Sequence, residues 1–387
     1  MAYSWPVAAC LLALLALALG ERMLRDRALA AIPIRIHVNG TRGKSTVTRL
    51  IAAALRGNGI VTLAKVTGTA PRFILPDGSE RPVPRRGAPN VREQLRFLLR
   101  AHRMRAEAVV IECMAIRPDL QHVAEHDMVR ATVGVITNVR TDHTEVMGST
   151  LADIAAALSN TVPRGADLVL GDPATESLFR ARAGALGTRI TVASSEPVPD
   201  RTPAGAKRPA WLRQNLATAL AVTRLLGLDD DGALAAMGRA GADPGAAVTR
   251  RVAIAGSVVD VLDATAANDP ESLASLLADW DPKAGLGARL AFVYNHRADR
   301  PDRLRRFARS DVIGANGGRV LLTGDRPAAT LWRAVRRELA GRPAAFVPVP
   351  DLQRALRTAA ADADGIVFCG NTRGIDVART LQGVTRG

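Results

Sequence analysis

The chain has 387 residues, more than the roughly 250 to 300 that a single hydrophobic core usually supports, so two domains are expected. Hydrophobic residues at 48%, with 33 Gly and 22 Pro, exclude fibrous and disordered classes, and aromatics at only 3% leave the core to Ala, Val, Leu and Ile. The formal charge of +15 is almost entirely arginine; it suits an anionic membrane surface, a polyanionic ligand or simply a solvated basic face, and with no basic run interleaved with aromatics it argues against nucleic acid.

No charged residue occurs in residues 1–20, and residues 7–19 are apolar or small throughout. Twenty helical residues rise about 30 Å, enough to cross the hydrocarbon of a bilayer. Arg22, Arg25 and Arg27 follow the apolar stretch, whereas a secretory leader carries its positive charge before it. The expectation is a transmembrane anchor over residues 1–21, with the N-terminus outside, the body inside and Tyr3 and Trp5 at the outer interface. A cleaved leader, for which Ala16-Leu17-Ala18 would serve, and a buried core helix are the alternatives.

Residues 32–38 form a short β-branched run that leads into Asn39-Gly40-Thr41-Arg42-Gly43-Lys44-Ser45-Thr46, and residues 46–56 have helical spacing. A glycine-rich turn between strand and helix, with a lysine and a hydroxyl, is the arrangement that cradles phosphates and binds their metal ion. The broad phosphate-loop pattern places a glycine where Val38 stands. Pro76-Asp77-Gly78 marks a hairpin turn, residues 91–104 a helix, and residues 108–113 a strand whose end carries Glu112, a hard oxygen ligand for magnesium. Residues 133–139 are the next strand, running into Thr137-Asn138-Val139-Arg140-Thr141-Asp142-His143; His143 offers a nitrogen ligand and Asp142 a partner to orient it. A helix over residues 151–158, strands near Leu168 and Ile190, and a helix over about residues 213–226 beginning at Gln214-Asn215 complete this half.

A Gly, Ala and Asp-rich stretch at residues 241–245 divides the body into domains 32–245 and 246–387. In the second, strand-like runs at 258–262, 290–294, 320–322, 346–349 and 366–369 alternate with helices. Such alternation implies right-handed crossovers and parallel sheets, an α/β class. Asp263 to Ser272 lies between a strand and a helix, and just past a strand Arg297 or Arg300 is able to clamp a phosphate or carboxylate through two parallel hydrogen bonds, with plain surface charge as the alternative. Cys10, Cys113 and Cys369 are too scattered for a disulfide framework or metal site.

Four of these motifs, in this order, resemble the Mur ligase superfamily. Its tighter loop G-T-x-G-K-[ST] fits Gly40 to Ser45, and its N-x-x-x-D-H signature fits Asn138 to His143. The resemblance implies a Mur-ligase-like ATPase domain followed by a smaller Rossmann-like domain. It implies ATP and Mg2+ as cofactors, with Ser45, Glu112 and His143 on the metal, and Lys44, Glu112 and His143 as the catalytic set. Nucleotide-side roles are implied for Asn39, Gly40, Thr41, Arg42, Gly43, Lys44, Ser45, Thr46, Asn138, Asn215, Asp263, Asn268 and Arg297. Asp269 is an insertion against the family's D-x-x-x-x-N-P-x-S pattern, and the lysine that many Mur ligases carbamylate after the Asp-His pair has no counterpart, since no lysine lies between Lys65 and Lys207.

The string His37-Val38-Asn39-Gly40-Thr41-Arg42-Gly43-Lys44-Ser45 and the apolar N-terminal segment narrow the resemblance to the ligase subunit of poly-γ-glutamate synthases, the PgsB/CapB type. That implies an enzyme that activates a glutamate γ-carboxylate as an acyl phosphate and joins it to an amine at the inner membrane face. Its partners would be the growing poly-γ-glutamate chain and small membrane subunits of a synthase and export complex, with homo-oligomerisation left open. A membrane-tethered NTPase or kinase, and a nucleotide-binding scaffold for export, are the readings from other classes.

Overall fold

The computed structural model describes residues 4–68, 71–85, 87, 89–194, 196, 198, 210–240, 247–267, 269–278, 280, 289–315, 318–339 and 341–385. Tyr3 and Asn268 lie outside the described residues, as does the side chain of Trp5. The chain forms two compact units, Met1–Asp243 and Pro244–Gly387.

The first unit is built on an eight-stranded sheet of β1 (Ile34–Asn39), β2 (Thr62–Val66), β3 (Arg72–Ile74), β4 (Glu80–Pro82), β5 (Ala108–Glu112), β6 (Val133–Ile136), β7 (Asp167–Leu170) and β8 (Arg189–Val192), in the order β4-β3-β2-β5-β1-β6-β7-β8. From β2 to β8 every pairing is parallel; β3 and β4 form the expected hairpin about Pro76-Asp77-Gly78, antiparallel to β2. Strand alternation divides each central strand between two cores. Ile36, Val38, Ala108 and Val110 pack beneath α2 (Lys44–Gly57) and the helix Ala210–Leu225. Val109 and Ile111 face the opposite way, onto Phe97, Leu98 and Ala101 of α3 (Glu93–Arg103).

The N-terminal helix, α1 (Ser4–Ala31), precedes β1. From Pro6 it is long and apolar enough to cross a membrane, and its leucines are exposed, Leu12 by 66% and Leu17 by 70%. Its last turns behave differently: Ala28, Leu29 and, just beyond, Ile32 are buried against the α3 side of the sheet.

The second unit has a six-stranded sheet of β9 (Val248–Ile254), β10 (Ser257–Asp263), β11 (Leu290–His296), β12 (Val320–Gly324), β13 (Ala344–Phe346) and β14 (Gly365–Cys369), ordered β13-β12-β11-β14-β10-β9. All pairs are parallel except β9 with β10. Two apolar layers cover it, one around Phe292, Tyr294, Phe307 and Leu322 and one around Val261, Val293, Leu356 and Phe368. Three strands depart from the sequence reading; of these, β13 ends at Phe346, where the strand expected over 346–349 begins, and Val349–Asp351 is a 3-10 turn. β2 contains Lys65 within its apolar run, and β9 is an antiparallel edge strand whose outward residues Thr249 and Arg251 mask its periodicity.

Candidate active site

In open α/β sheets, ligands gather at the carboxyl ends of the strands. The parallel register of β1, β5 and β6 brings Asn39, Glu112 and the segment following Ile136 to one such edge. The loop after β1 turns through Gly40 and Gly43, with φ of 126° and 80°, where side chains are strained. A Cβ on Gly43 would lie 2.6 Å from Asn215 Oδ1, so the loop is pinned between β1 and the helix Ala210–Leu225. Lys44 Nζ donates to Gly40 O at 2.6 Å and Thr41 O at 3.2 Å, which curls the ammonium over the loop.

Thr137 and Asn138 brace the loop from beneath. Asn138 Oδ1 accepts from Thr41 Oγ1 at 2.7 Å and from the Arg42 amide at 3.0 Å, while its Nδ2 donates to Arg42 O at 3.1 Å. Thr137 Oγ1 donates to the same carbonyl at 2.6 Å. Asn39 also points away from the loop: its buried amide donates to Gln121 Oε1 at 2.9 Å and Thr161 Oγ1 at 3.0 Å. Asn138 thus bonds the loop itself and Asn39 the elements behind it, in addition to the nucleotide contact that the resemblance implies for both. Asn215 is buried against Gly43. Thr46 lies in the first turn of α2.

Glu112 is 2% exposed. Its Oε2 accepts from Ser45 Oγ at 2.9 Å and from the Thr67 amide at 2.5 Å. A hydroxyl and a carboxylate, converging beside a phosphate-type loop, form the hard oxygen pair a magnesium-like ion prefers, and the donor chemistry fits. His143 stands after β6 in a left-handed conformation, φ 47°, a strain more usual at functional positions than elsewhere. Arg42 Nη2 is 3.5 Å from Asp142 Oδ2, which lies 3.9 Å from His143 Nε2; His143 Nδ1 is 3.4 Å from Glu145 Oε1. Asp142 thus links the loop to the histidine. Among the described residues no three His, Cys, Asp or Glu side chains converge as a ready metal cage, so Ser45 and Glu112 are drawn together while His143 is held with Asp142 and Glu145.

Sequence reasoning missed the support behind Glu112. Lys65, at the end of β2, is fully buried; its Nζ is 3.1 Å from Glu93 Oε2 and donates to Gln94 Oε1 at 3.0 Å. Gln94 Nε2 donates to the Glu112 carbonyl at 3.3 Å, and Arg85 Nε is 2.8 Å from Glu93 Oε1. Burial lowers the pKa of Lys65 against the pull of Glu93, while Arg85 and Lys65 hold Glu93 below its ordinary value despite its own burial. The usable signal was that Lys65 is one of only four lysines and sits inside an apolar run. The corresponding case on β1 is His37, buried with Nδ1 2.7 Å from Glu125 Oε2. Burial disfavours its charge, but the neighbouring Cys113 and Glu125 outweigh it and raise its pKa to about 10.

In the second unit, Asp263 ends β10 and accepts from Thr265 Oγ1 at 2.7 Å. Asp269 caps the helix Pro270–Ala278 by accepting from the Ser272 amide at 2.7 Å and its hydroxyl at 2.8 Å, which gives the inserted residue a structural task. Arg297 is engaged by Asp299 through both carboxylate oxygens, at 2.9 and 2.6 Å. The ends of β11 and β14 are clasped by Asn295 and Asn371, each donating to the other's carbonyl, at 2.8 and 2.7 Å.

Residues 38–169 match the Mur ligase middle domain. Among solved structures, E. coli FolC in complex with ADP superposes with a TM-score of 0.67 at 18% identity, covering 91% of this chain and 90% of that one. MurF from Acinetobacter baumannii gives 0.67 at 15% identity, covering 95% and 79%. A bifunctional folylpolyglutamate synthase/dihydrofolate synthase with Mn, AMPPNP and L-glutamate bound gives 0.61 at 18%, covering 91% and 90%. Fold and site together define an enzyme of the Mur ligase class, an ATP-dependent amide ligase.

Residues 249–382 match the C-terminal domain of poly-γ-glutamate synthase CapB. The capsule biosynthesis protein CapB of Bacillus anthracis is 36% identical over 317 residues, 79% of this chain and 66% of that protein. The PGA synthase CapB of Bacillus subtilis is 32% identical over 318 residues, 79% of this chain and 78% of that protein. The chain belongs to the CapB family of poly-γ-glutamate synthases.

Proposed function

We propose that the chain polymerises glutamate into poly-γ-glutamate at the inner membrane face, activating a γ-carboxylate with ATP and joining the acyl phosphate to an amine. The observation that carries this is the meeting of Ser45 and Glu112 at 2.9 Å beside the loop holding Lys44. In this reading the loop amides and Lys44 hold the transferring phosphate. Ser45 and Glu112 would hold Mg2+, with His143, positioned by Asp142, as a further ligand, and the ion would neutralise charge on the phosphates. The carboxylate attacks the terminal phosphorus, ADP leaves, and the incoming amine displaces phosphate as the amide forms. Asn215, Asp263, Asn268 and Arg297 take the nucleotide-side roles. ATP and a divalent ion are supported by the FolC-type structures, which hold ADP, or AMPPNP with Mn.

α1 supplies a single-pass anchor with the catalytic body on the cytoplasmic side. Small membrane subunits of a synthase and export complex, and the polymer itself, are the partners.

The test is glutamate-dependent ADP release coupled to amide product, using the full chain with Mg2+ and any companion subunits. Lys44→Ala and Glu112→Gln should abolish both. ADP release indifferent to glutamate would point to an NTPase or kinase. Polymer formation that persists with Lys44→Ala would assign the ligation to another chain.

A further inference from the structure

We infer that the carboxyl edge of the first unit's sheet, which carries the phosphate loop and Glu112, faces the bilayer and lies at the level of its headgroups. This rests on the reading of α1 as a membrane anchor. A tether alone would leave the body free to turn; here the helix end is packed and hydrogen-bonded into the body. Helix α1 continues without interruption to Ala31, and after Ile32 the chain enters β1 through Pro33, whose ring fixes the turn. Arg35 closes the joint by donating to Leu29 O at 3.1 Å, Ile32 O at 2.6 Å and, through Nε, Arg130 O at 2.9 Å. Arg25 Nη1 adds a bond to Asp127 O at 3.0 Å.

The direction follows from topology. α3 leads into β5 by a crossover and so runs antiparallel to it, with Glu93 and Gln94 at the carboxyl edge beside Lys65 and Glu112. α1 lies along α3 in the same direction: Glu21 pairs with Arg92 at the start of α3, and Leu29 packs with Phe97, Leu98 and Ala101 further along. Travelling back up α1 from Ala31 toward the apolar segment therefore leads to the carboxyl edge. From Glu21 to Ala31 the helix descends about 15 Å. β1 then climbs about 17 Å before Gly40. The phosphate loop thus returns to roughly the height of Glu21, where the uncharged segment ends. Arg92, Glu93 and Gln94 make the connection directly, being bonded in turn to Glu21, Lys65 and the Glu112 carbonyl.

The experiment uses the full chain in phosphatidylcholine/phosphatidylglycerol vesicles carrying a headgroup-attached acceptor dye. With Cys10→Ser, the remaining Cys113 and Cys369 are buried. Single labelling cysteines go at exposed positions on the two edges: Arg117→Cys and Ser149→Cys beyond β5 and β6, Asn58→Cys and Arg164→Cys before β2 and β7. Donor fluorescence should be lost strongly from Arg117→Cys and Ser149→Cys and little from the other two. Equal loss at both edges, or greater loss at the amino edge, in protein that floats with the vesicles would overturn the orientation while leaving the anchor standing. Protein that fails to float and instead self-associates through α1 would overturn both.

Discussion

Replacing Asn138 with alanine should loosen the phosphate loop before it touches any chemistry. The side chain makes three hydrogen bonds to the loop, with Thr41 Oγ1, the Arg42 amide and the Arg42 carbonyl. At about 0.5 to 1.5 kcal/mol each, the loss amounts to roughly 1.5 to 4.5 kcal/mol of loop order. A nucleotide that needs the ordered loop binds more weakly in proportion to the fraction of chains that retain it. At about 1.4 kcal/mol per tenfold, the affinity for ATP or ADP should fall between about 10-fold and 1,000-fold. Calorimetric titration of wild type and Asn138→Ala with ADP measures this, and hydrogen exchange at the Arg42 amide in the nucleotide-free protein reports the cause. Unchanged exchange at Arg42 alongside weakened binding would refute the bracing argument and return Asn138 to direct nucleotide contact. Unchanged binding would refute both.

Glu93→Gln should destabilise the first unit by about 3 to 5 kcal/mol, because Lys65 is left as a buried charge, whereas Lys65→Met should cost much less, since Glu93 keeps Arg85. Urea unfolding of the two variants decides it, and equal losses would show that the pair does not work this way. His37 has a folded-state pKa of about 10, above its ordinary 6.5, so its contribution to stability is complete below about pH 6.5 and is lost as pH rises toward 10. One proton allows a slope of up to about 1.4 kcal/mol per pH unit, and unfolding measured from pH 6 to 10 should show that slope in wild type but not in His37→Phe. Removing residues 1–20 should leave the body folded. Removing residues 1–33 also strips Leu29 and Ile32 from the core, at about 1.5 to 3 kcal/mol each, and should lower the midpoint of urea unfolding sharply; equal midpoints for the two truncations would show that α1 contributes nothing to the fold.

The parts of the site that could be read in advance are those written in consecutive residues. The run into Gly40 and the helix after Lys44 declare a phosphate loop, and the apolar run ending at Glu112 declares a carboxylate at a strand end. What stayed hidden depends on contacts between distant positions. Asn138 meets Thr41 across 97 residues and Lys65 meets Glu93 across 28, so neither role leaves a local pattern. β2 was hidden because a charged residue in an apolar run reads as an interruption until its partner is known, and β9 because an edge strand alternates weakly. Arg297 shows the same limit: its position after β11 suggests ligand binding, but its pairing with Asp299, two residues on, is not visible until the side chains are placed.

The burial of Leu29 and Ile32 also bears on how the chain is made. Their shared core includes Val109, Ile111, Val129 and Ala131, so this layer cannot close until about a third of the chain has left the ribosome. By then the apolar segment before Glu21 has long since emerged, and domains fold as units during synthesis. On the proposed reading of α1 as an anchor, the first unit would assemble with one end of its own core already held at the lipid surface, which shortens the search for its first helix and exposes the unfinished layer to membrane and not to open cytosol.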